Sequence, residues 1–388
     1  MLYFDNNATT RMAPEVLEAM LPYFDTEYAN PSSIHQFAEG AREALRQSRI
    51  AVGRLVGARP EELIFTSGAT EACNLAIFGA AEARPDRRHV LVSAVEHHAV
   101  LHPVDRLAAR GYRVTVVPVS SGGRLDLDAL DAALDADTLL VATMLANNET
   151  GVRFTVEEVV ARAARVGALV LCDATQAVGK VPVSARRMGV DYLALSGHKL
   201  HGPKGVGALY VRRGAPIVAQ LVGGGQQWDI RSGTENVPGI VGLGMAAYLA
   251  RDWLVDGSAE RIGGLRDRLE RGLLESIPGT VVNGGAEPRL PNTLNVSFED
   301  AAGEAILQLL DEREVAASSS SACQSNVKEP SHVLSAMALP DRWLHGSVRL
   351  GLSRYTTDAE VDALLAMMPR IVSLARAAST GADSAGQP

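Results

Sequence analysis

Between residues 62 and 211, short apolar runs alternate with stretches of helical spacing, and no other feature narrows the fold as much. Leu63–Thr66, Val90–Ser93, Arg113–Pro118, Leu139–Thr143, Leu169–Asp173, Tyr192–Ser196 and Gly207–Val211 read as strands. Thr155, followed by Glu158, reads as a capping box opening one of the helices between them. Alternating β and α units predict an α/β fold: a mostly parallel seven-stranded sheet with helices on both faces. In such folds ligands gather at the carboxyl ends of the strands.

After residue 257 the texture changes. Leu265, Leu269, Leu273 and Ile277 share one helical face, and Thr293–Phe298 alternates like a half-buried strand. Thr357 and Glu360 form a second capping box before a long apolar helix, which Pro369 should kink or interrupt. We expect a large domain over 15–257, a smaller α+β domain from 1–14 and 258–378, and a disordered tail over 379–388. Gly242-Leu-Gly-Met-Ala-Ala247 loosely matches a dinucleotide fingerprint, but its flanks are helical and no strand precedes it. It reads as small residues in a packed helix.

Charge and cysteine content exclude whole classes. Lys+Arg 37 minus Asp+Glu 45 gives −8, the wrong sign for a non-specific nucleic-acid binder. No apolar stretch reaches the ~18 residues of a membrane span, so no membrane partner is expected. Three cysteines, Cys73, Cys172 and Cys323, do not make a disulfide framework. Together with the lack of a secretory signal, they point to the cytoplasm. Of the 37 basic residues only Lys180, Lys199, Lys204 and Lys328 are lysines. Chemistry that needs a primary amine therefore has four candidates, because a guanidinium cannot stand in.

Several short stretches carry candidate chemistry. Ser196-Gly-His-Lys199 follows a predicted strand, where a desolvated lysine becomes nucleophilic; Lys204 is its rival on the same loop. Leu169–Asp173 ends a buried strand in an acid, with Gln176 three residues on; such an acid suits a pyridinium nitrogen or a helix cap. Thr66-Ser-Gly-Ala-Thr70 lies between strand and helix, where exposed N–H groups favour a phosphate. His97 is placed to stack on a flat ring or shuttle protons. His98 and His102 have a metal-binding spacing but no third ligand, so no resident metal is expected. Cys172 reads as core, the facing of Cys73 is open, and Cys323 in its serine-rich surroundings suits a travelling thiol.

Together these stretches resemble the cysteine desulfurases of the class V aminotransferase family, fold-type I pyridoxal-phosphate enzymes with a long mobile cysteine loop. The matching stretches are Asp5–Thr10, Asn30–Ser33, Phe65–Glu71, Glu96-His97, Ala146–Gly151, Asp173–Gln176, Ser196–Lys199, Arg231–Thr234, Ser321–Cys323, and Arg349 with Ser353–Thr356. They run in the family's order over nearly the whole chain. Asn147–Gly151, Gly233–Asn236 and Leu290–Thr293 look most like the nitrogen-fixation branch.

The resemblance implies pyridoxal phosphate as cofactor and a role for each position. Lys199 would form the Schiff base, Asp173 would pair with the ring nitrogen, and Gln176 would bond the phenolic oxygen. His97 would stack on the ring, while Ala69, Thr70, Ser196 and His198 would hold the phosphate. Thr234 would reach the phosphate of a neighbouring subunit, which makes the protein a homodimer. Asn148 and Arg349 would bind the carboxylate of L-cysteine. Cys323 would take the sulfur as a persulfide, release L-alanine, and pass sulfur to an acceptor or iron–sulfur scaffold protein, plausibly for nitrogenase. Cys323 would ligate metal only in passing, on a nascent cluster. Alternatives are a selenocysteine lyase, another pyridoxal-phosphate lyase or aminotransferase that does not use Cys323, and a non-enzymatic sulfur-carrier or scaffold subunit. The chain departs from the family at Ser320, where relatives have Gly, and at Trp228 and Asp229, where they tend to carry Arg and Gly.

Overall fold

The computed structural model describes residues 1–319 and 330–384. Its strands, in chain order, are β1 (Leu2–Tyr3), β2 (Leu63–Thr66), β3 (His89–Ser93), β4 (Arg113–Val117), β5 (Thr138–Met144), β6 (Leu169–Asp173), β7 (Tyr192–Ser196), β8 (Gly207–Val211), β9 (Thr280–Val282), β10 (Thr293–Phe298), β11 (Val315–Ala316) and β12 (Ser347–Gly351). Seven of them form one sheet in the order β2-β8-β7-β6-β5-β3-β4. Only β8 runs against its neighbours.

The centre of the sheet is buried on both faces because the interior positions of its central strands are almost all apolar. Along β6, Val170 and Cys172 join one apolar cluster while Leu169 and Leu171 join another, the period-two alternation of a strand between two layers. Helices Glu39–Val56, Val156–Ala164 and Val237–Trp253 cover the first face. Helices Ala69–Ala83 and His98–Ala108 cover the second. A third cluster belongs to the antiparallel sheet β12-β10-β9 and its helices, where Leu265, Leu269, Leu273 and Ile277 are buried together. β1 pairs with β11 and brings the N-terminus against this part. Gly242–Ala247 lies inside the helix Val237–Trp253.

Four details differ from the sequence reading. Thr155 sits at the N-cap position, but its side chain makes no capping bond; the box at Thr357 and Glu360 does form. Pro369 does not interrupt the helix Asp358–Ser384, because Leu364, Met368, Ile371, Val372 and Ala375 bury the stretch on either side of it. The same helix runs through residues 379–384 of the expected disordered tail; residues 385–388 lie outside those described. β10 is buried on both faces: Leu294, Val296 and Phe298 enter the third core. Asn295 and Ser297 face the other way and meet the Asn283 amide at 2.8 Å.

Two backbone constraints hold the strand ends that build the site. A Cβ at Gly207 would lie 2.5 Å from the Leu195 carbonyl oxygen and 2.7 Å from the Gly68 Cα, so β8 passes only as glycine. Gln227, Trp228 and Asp229 all have positive φ (48°, 62° and 60°), a left-handed turn without a glycine. Gln227 is fixed there because its Oε1 accepts from the Phe65 N–H at 2.9 Å and its Nε2 donates to Glu235 at 2.6 Å. Gly207→Ala is expected to destabilise the fold by about 2 kcal/mol in denaturant unfolding, since both clashes are with backbone. Asp229→Gly is expected to stabilise it by about 0.5–1 kcal/mol, since glycine adopts this φ freely.

Candidate active site

Five loops at the carboxyl ends of the parallel strands β2, β3, β5, β6 and β7 converge on a cavity of about 550 Å³. Lys199 lies in the short turn after β7. Its Nζ donates to the carbonyls of Asn7 at 2.5 Å and Ala8 at 2.7 Å. Lys204 lines the same cavity but is exposed at its rim. His198 is held through Nδ1 against Thr9 Oγ1 at 3.1 Å, and burial, with the charges of Lys199 and Lys204, pushes its pKa down to about 4.

Asp173 ends the central strand β6, next to β7. It is buried, and its Oδ1 accepts the Thr175 N–H at 2.9 Å. Gln176 reaches across to the N-terminal segment, where its Nε2 donates to the Asn7 carbonyl at 2.9 Å. His97 is the N-cap of helix His98–Ala108, and its Nδ1 accepts the Ala99 N–H at 3.0 Å. The neutral ring therefore carries its proton on Nε2. Burial holds this imidazole below its ordinary pKa, against the opposing charge of Asp173.

Ala69 and Thr70 open the helix Ala69–Ala83, whose N-terminus receives no side-chain cap. With Ser196 they line one end of the cavity. At the other end Arg349, on β12, is buried; it donates to the Asn148 carbonyl at 3.1 Å and to Asp5 at 3.0 Å. Asn148 lines the cavity beside it. The fold thus brings together ten predicted positions: Ala69, Thr70, His97, Asn148, Asp173, Gln176, Ser196, His198, Lys199 and Arg349. Thr234 is exposed and does not line the cavity. Cys323 lies outside the described residues. Cys73 and Cys172 are buried, and burial pushes both thiols well above the usual range. His98 and His102 stack with ring centroids 4.7 Å apart, and no metal-binding group occurs among the described residues.

Three site residues were not singled out from the sequence for a role. Asn7 lies in a quoted stretch, and the Asn-Asn doublet was the available signal. Thr175 Oγ1 is buried and has no hydrogen-bond partner among the described residues. Glu96 is fully buried beneath the site: its Oε1 accepts from Ser93 Oγ and from the Met144 N–H at 2.8 Å, while its Oε2 has no partner among the described residues. Burial, reinforced by Asp173, pushes its pKa up to about 8.

A buried acid and an amine at the ends of adjacent strands, below an uncapped helix N-terminus, define an α/β enzyme of the fold-type I pyridoxal-phosphate class. The residues fit that cofactor, because Thr175 Oγ1 and Arg349 Nε, both on the cavity wall, are buried polar atoms without partners among the described residues. The family model for class-V aminotransferases matches residues 2–364, and the chain belongs to that family. It is 52% identical over 379 residues to "Cysteine desulfurase 2" of Trichormus variabilis, covering 98% of this chain and 95% of that one. It is 46% identical over 376 residues to "Cysteine desulfurase NifS" of Azotobacter vinelandii, covering 97% and 93%. Among solved structures, a "NifS-like protein" superposes with a TM-score of 0.89 at 38% identity over 96% of this chain and 99% of that one. "SspA in complex with cysteine" superposes with a TM-score of 0.82 at 34% identity, over 92% and 100%.

Glu96 gives the site a pH signature. Its folded pKa is raised, so between about pH 4.5 and about pH 8 the folded state binds a proton that the unfolded state has lost, and stability falls as pH rises through that window. Glu96→Gln, which cannot ionise, is expected to lose fewer degrees of Tm than the wild type between pH 5 and pH 8. Parallel pH dependence of the two in thermal unfolding would contradict this.

Proposed function

We propose that this protein is a cysteine desulfurase that converts L-cysteine to L-alanine and leaves the sulfur as a persulfide on Cys323. The observation that carries the reading is that Lys199, the buried acid Asp173 and the buried guanidinium of Arg349 line one cavity. Full-length identity near 50% to proteins named cysteine desulfurase supports it.

In this reading Ala69, Thr70, Ser196 and His198 hold the cofactor's phosphate, with the helix N-terminus supplying unpaired N–H donors. Asp173 would keep the ring nitrogen protonated, Gln176 would donate to the ring oxygen, and His97 would pack against the ring. The bound cofactor supplies an electron sink for the pair left when the substrate Cα loses its proton. Arg349 and Asn148 hold the substrate carboxylate, which fixes the Cα hydrogen toward Lys199. Lys199 takes that proton through its amine once its carbonyl partners at Asn7 and Ala8 are exchanged. The Cys323 thiolate attacks the substrate sulfur: the Cβ–S bond breaks and an S–S bond forms, and alanine is completed by one proton at Cβ and by the return of a proton to Cα, supplied by Lys199 and by a thiol. Overall, one cysteine and one thiol become one alanine and one persulfide.

The homodimer of this reading is supported by Thr234, which is exposed and outside its own cavity, and by exposed apolar side chains such as Leu17, Leu21 and Phe24 along the N-terminal helices. The sulfur passes to an acceptor or scaffold protein for iron–sulfur assembly, and the NifS name of relatives points to nitrogenase. The cysteine content favours a reducing, cytoplasmic setting.

With L-cysteine and a reductant, the purified enzyme is expected to release alanine and sulfide. Cys323→Ala should lower alanine formation at least ~100-fold while the cofactor's visible absorbance is retained. Unchanged alanine formation in that variant would refute the persulfide route.

A further inference from the structure

Lys180 is a buried lysine that the reaction above does not use. It has no carboxylate partner among the described residues, and burial with the charges of Lys199 and Arg349 pushes its amine well below the ordinary lysine range. Its Nζ donates to Gln176 Oε1 at 2.8 Å. Gln176 Nε2 in turn donates to the Asn7 carbonyl, which also accepts from Lys199 Nζ. These partners decide the amide's orientation. The Asn7 carbonyl can only accept, and an amine hydrogen must find an acceptor, so Oε1 faces Lys180 and Nε2 faces Asn7. One Nε2 hydrogen is thereby left for the cavity that Gln176 lines.

The chain is bent to produce this contact. Gly179 has φ +76°, and a Cβ there would sit 3.1 Å from Leu200 Cβ and 3.2 Å from Ala250 Cβ. This left-handed step closes the turn and returns Lys180 to the residue four positions earlier. Lys180 also borders a small cavity of about 20 Å³, room for one water to accept another amine hydrogen. Gln176 therefore presents a donor to the site only while its carbonyl end is occupied.

We propose that Lys180 is a positioning residue: through its Nζ–Oε1 contact it locks the Gln176 amide so that an N–H, not the carbonyl oxygen, faces the ring oxygen of the bound cofactor. The inference rests on the reading of Gln176 as a ligand of that oxygen. A hydrogen bond there withdraws charge from the ring and lowers the proton affinity of the Lys199–cofactor linkage, so its loss raises that affinity.

The test is the pH titration of visible absorbance of the cofactor-loaded enzyme, without substrate. Gln176→Leu and Lys180→Met are each expected to raise the midpoint by about one pH unit, the worth of one hydrogen bond to a charged group. In the Gln176→Leu background, Lys180→Met should add less than half of its own shift, because its route of action is gone. Lys180→Gln, which keeps an N–H donor without the charge, should stay closer to wild type than Lys180→Met; this variant also serves if Lys180→Met does not fold. A full additional shift in the Gln176→Leu background, or equal shifts for Lys180→Gln and Lys180→Met, would overturn the positioning role in favour of a direct field. No shift from Lys180→Met in loaded enzyme would overturn it outright. No shift from Gln176→Leu would instead remove the reading of Gln176 on which the inference stands.

Discussion

The site depends on one residue of the N-terminal segment, Asn7. Its carbonyl accepts from both Lys199 Nζ and Gln176 Nε2. Its side-chain amide donates to the Asn148 carbonyl at 3.1 Å and to Thr293 Oγ1 at 2.9 Å, and its Oδ1 accepts from Asn292 at 3.1 Å. A single buried peptide thus ties the ends of β6 and β7 to the loop after β5 and to the start of β10. Each bond is worth little net, about 1 kcal/mol. Leaving any one of these buried partners unmade costs more, so the segment is fixed where the large sheet meets the small one.

The floor of the site is unusually rich in buried ionisable groups. Glu96 and Glu149 are both fully covered, and burial pushes their pKa values up to about 8 and about 7. Lys180 and Arg349 are buried as well. Burying charge is costly, and such groups collect where their fields act on chemistry. Glu149 also anchors the part of the chain that follows Cys323, because its carboxylate accepts the hydroxyl of Ser331, the N-cap of helix His332–Ala336. At the other border Ser318 donates to Asp5 at 2.6 Å, the same carboxylate that holds Arg349. The described chain on each side of Cys323 is therefore fixed to the residues that frame the cavity.

Local pattern revealed the large sheet well. All seven of its strands were legible within two residues, because buried parallel strands are apolar throughout and glycine or polar residues bound them. Lys199, Asp173 and Gln176 were legible because each lies at the end of such a strand or within three residues of it. β10 was misjudged as half-buried because its polar face is covered by other polar groups, which a hydropathy pattern cannot distinguish from water. Thr155 shows the reverse error: its spacing to Glu158 is that of a capping box, but the bond depends on a side-chain direction that spacing does not fix.

By itself the sequence determined the alternating layers, the candidate amine and acid, and the order in which they occur, since each is a consequence of local periodicity and residue chemistry. Only the tertiary structure decided which groups face one another. Arg349 meets Asn148 across 201 positions of chain, and Lys199 meets Asn7 across 192. It also decided the protonation chemistry of the site, because the pKa values of Glu96, His198 and Lys180 are set by burial and by neighbours distant in sequence. Desolvation is a property of the packed whole, and no local pattern carries it.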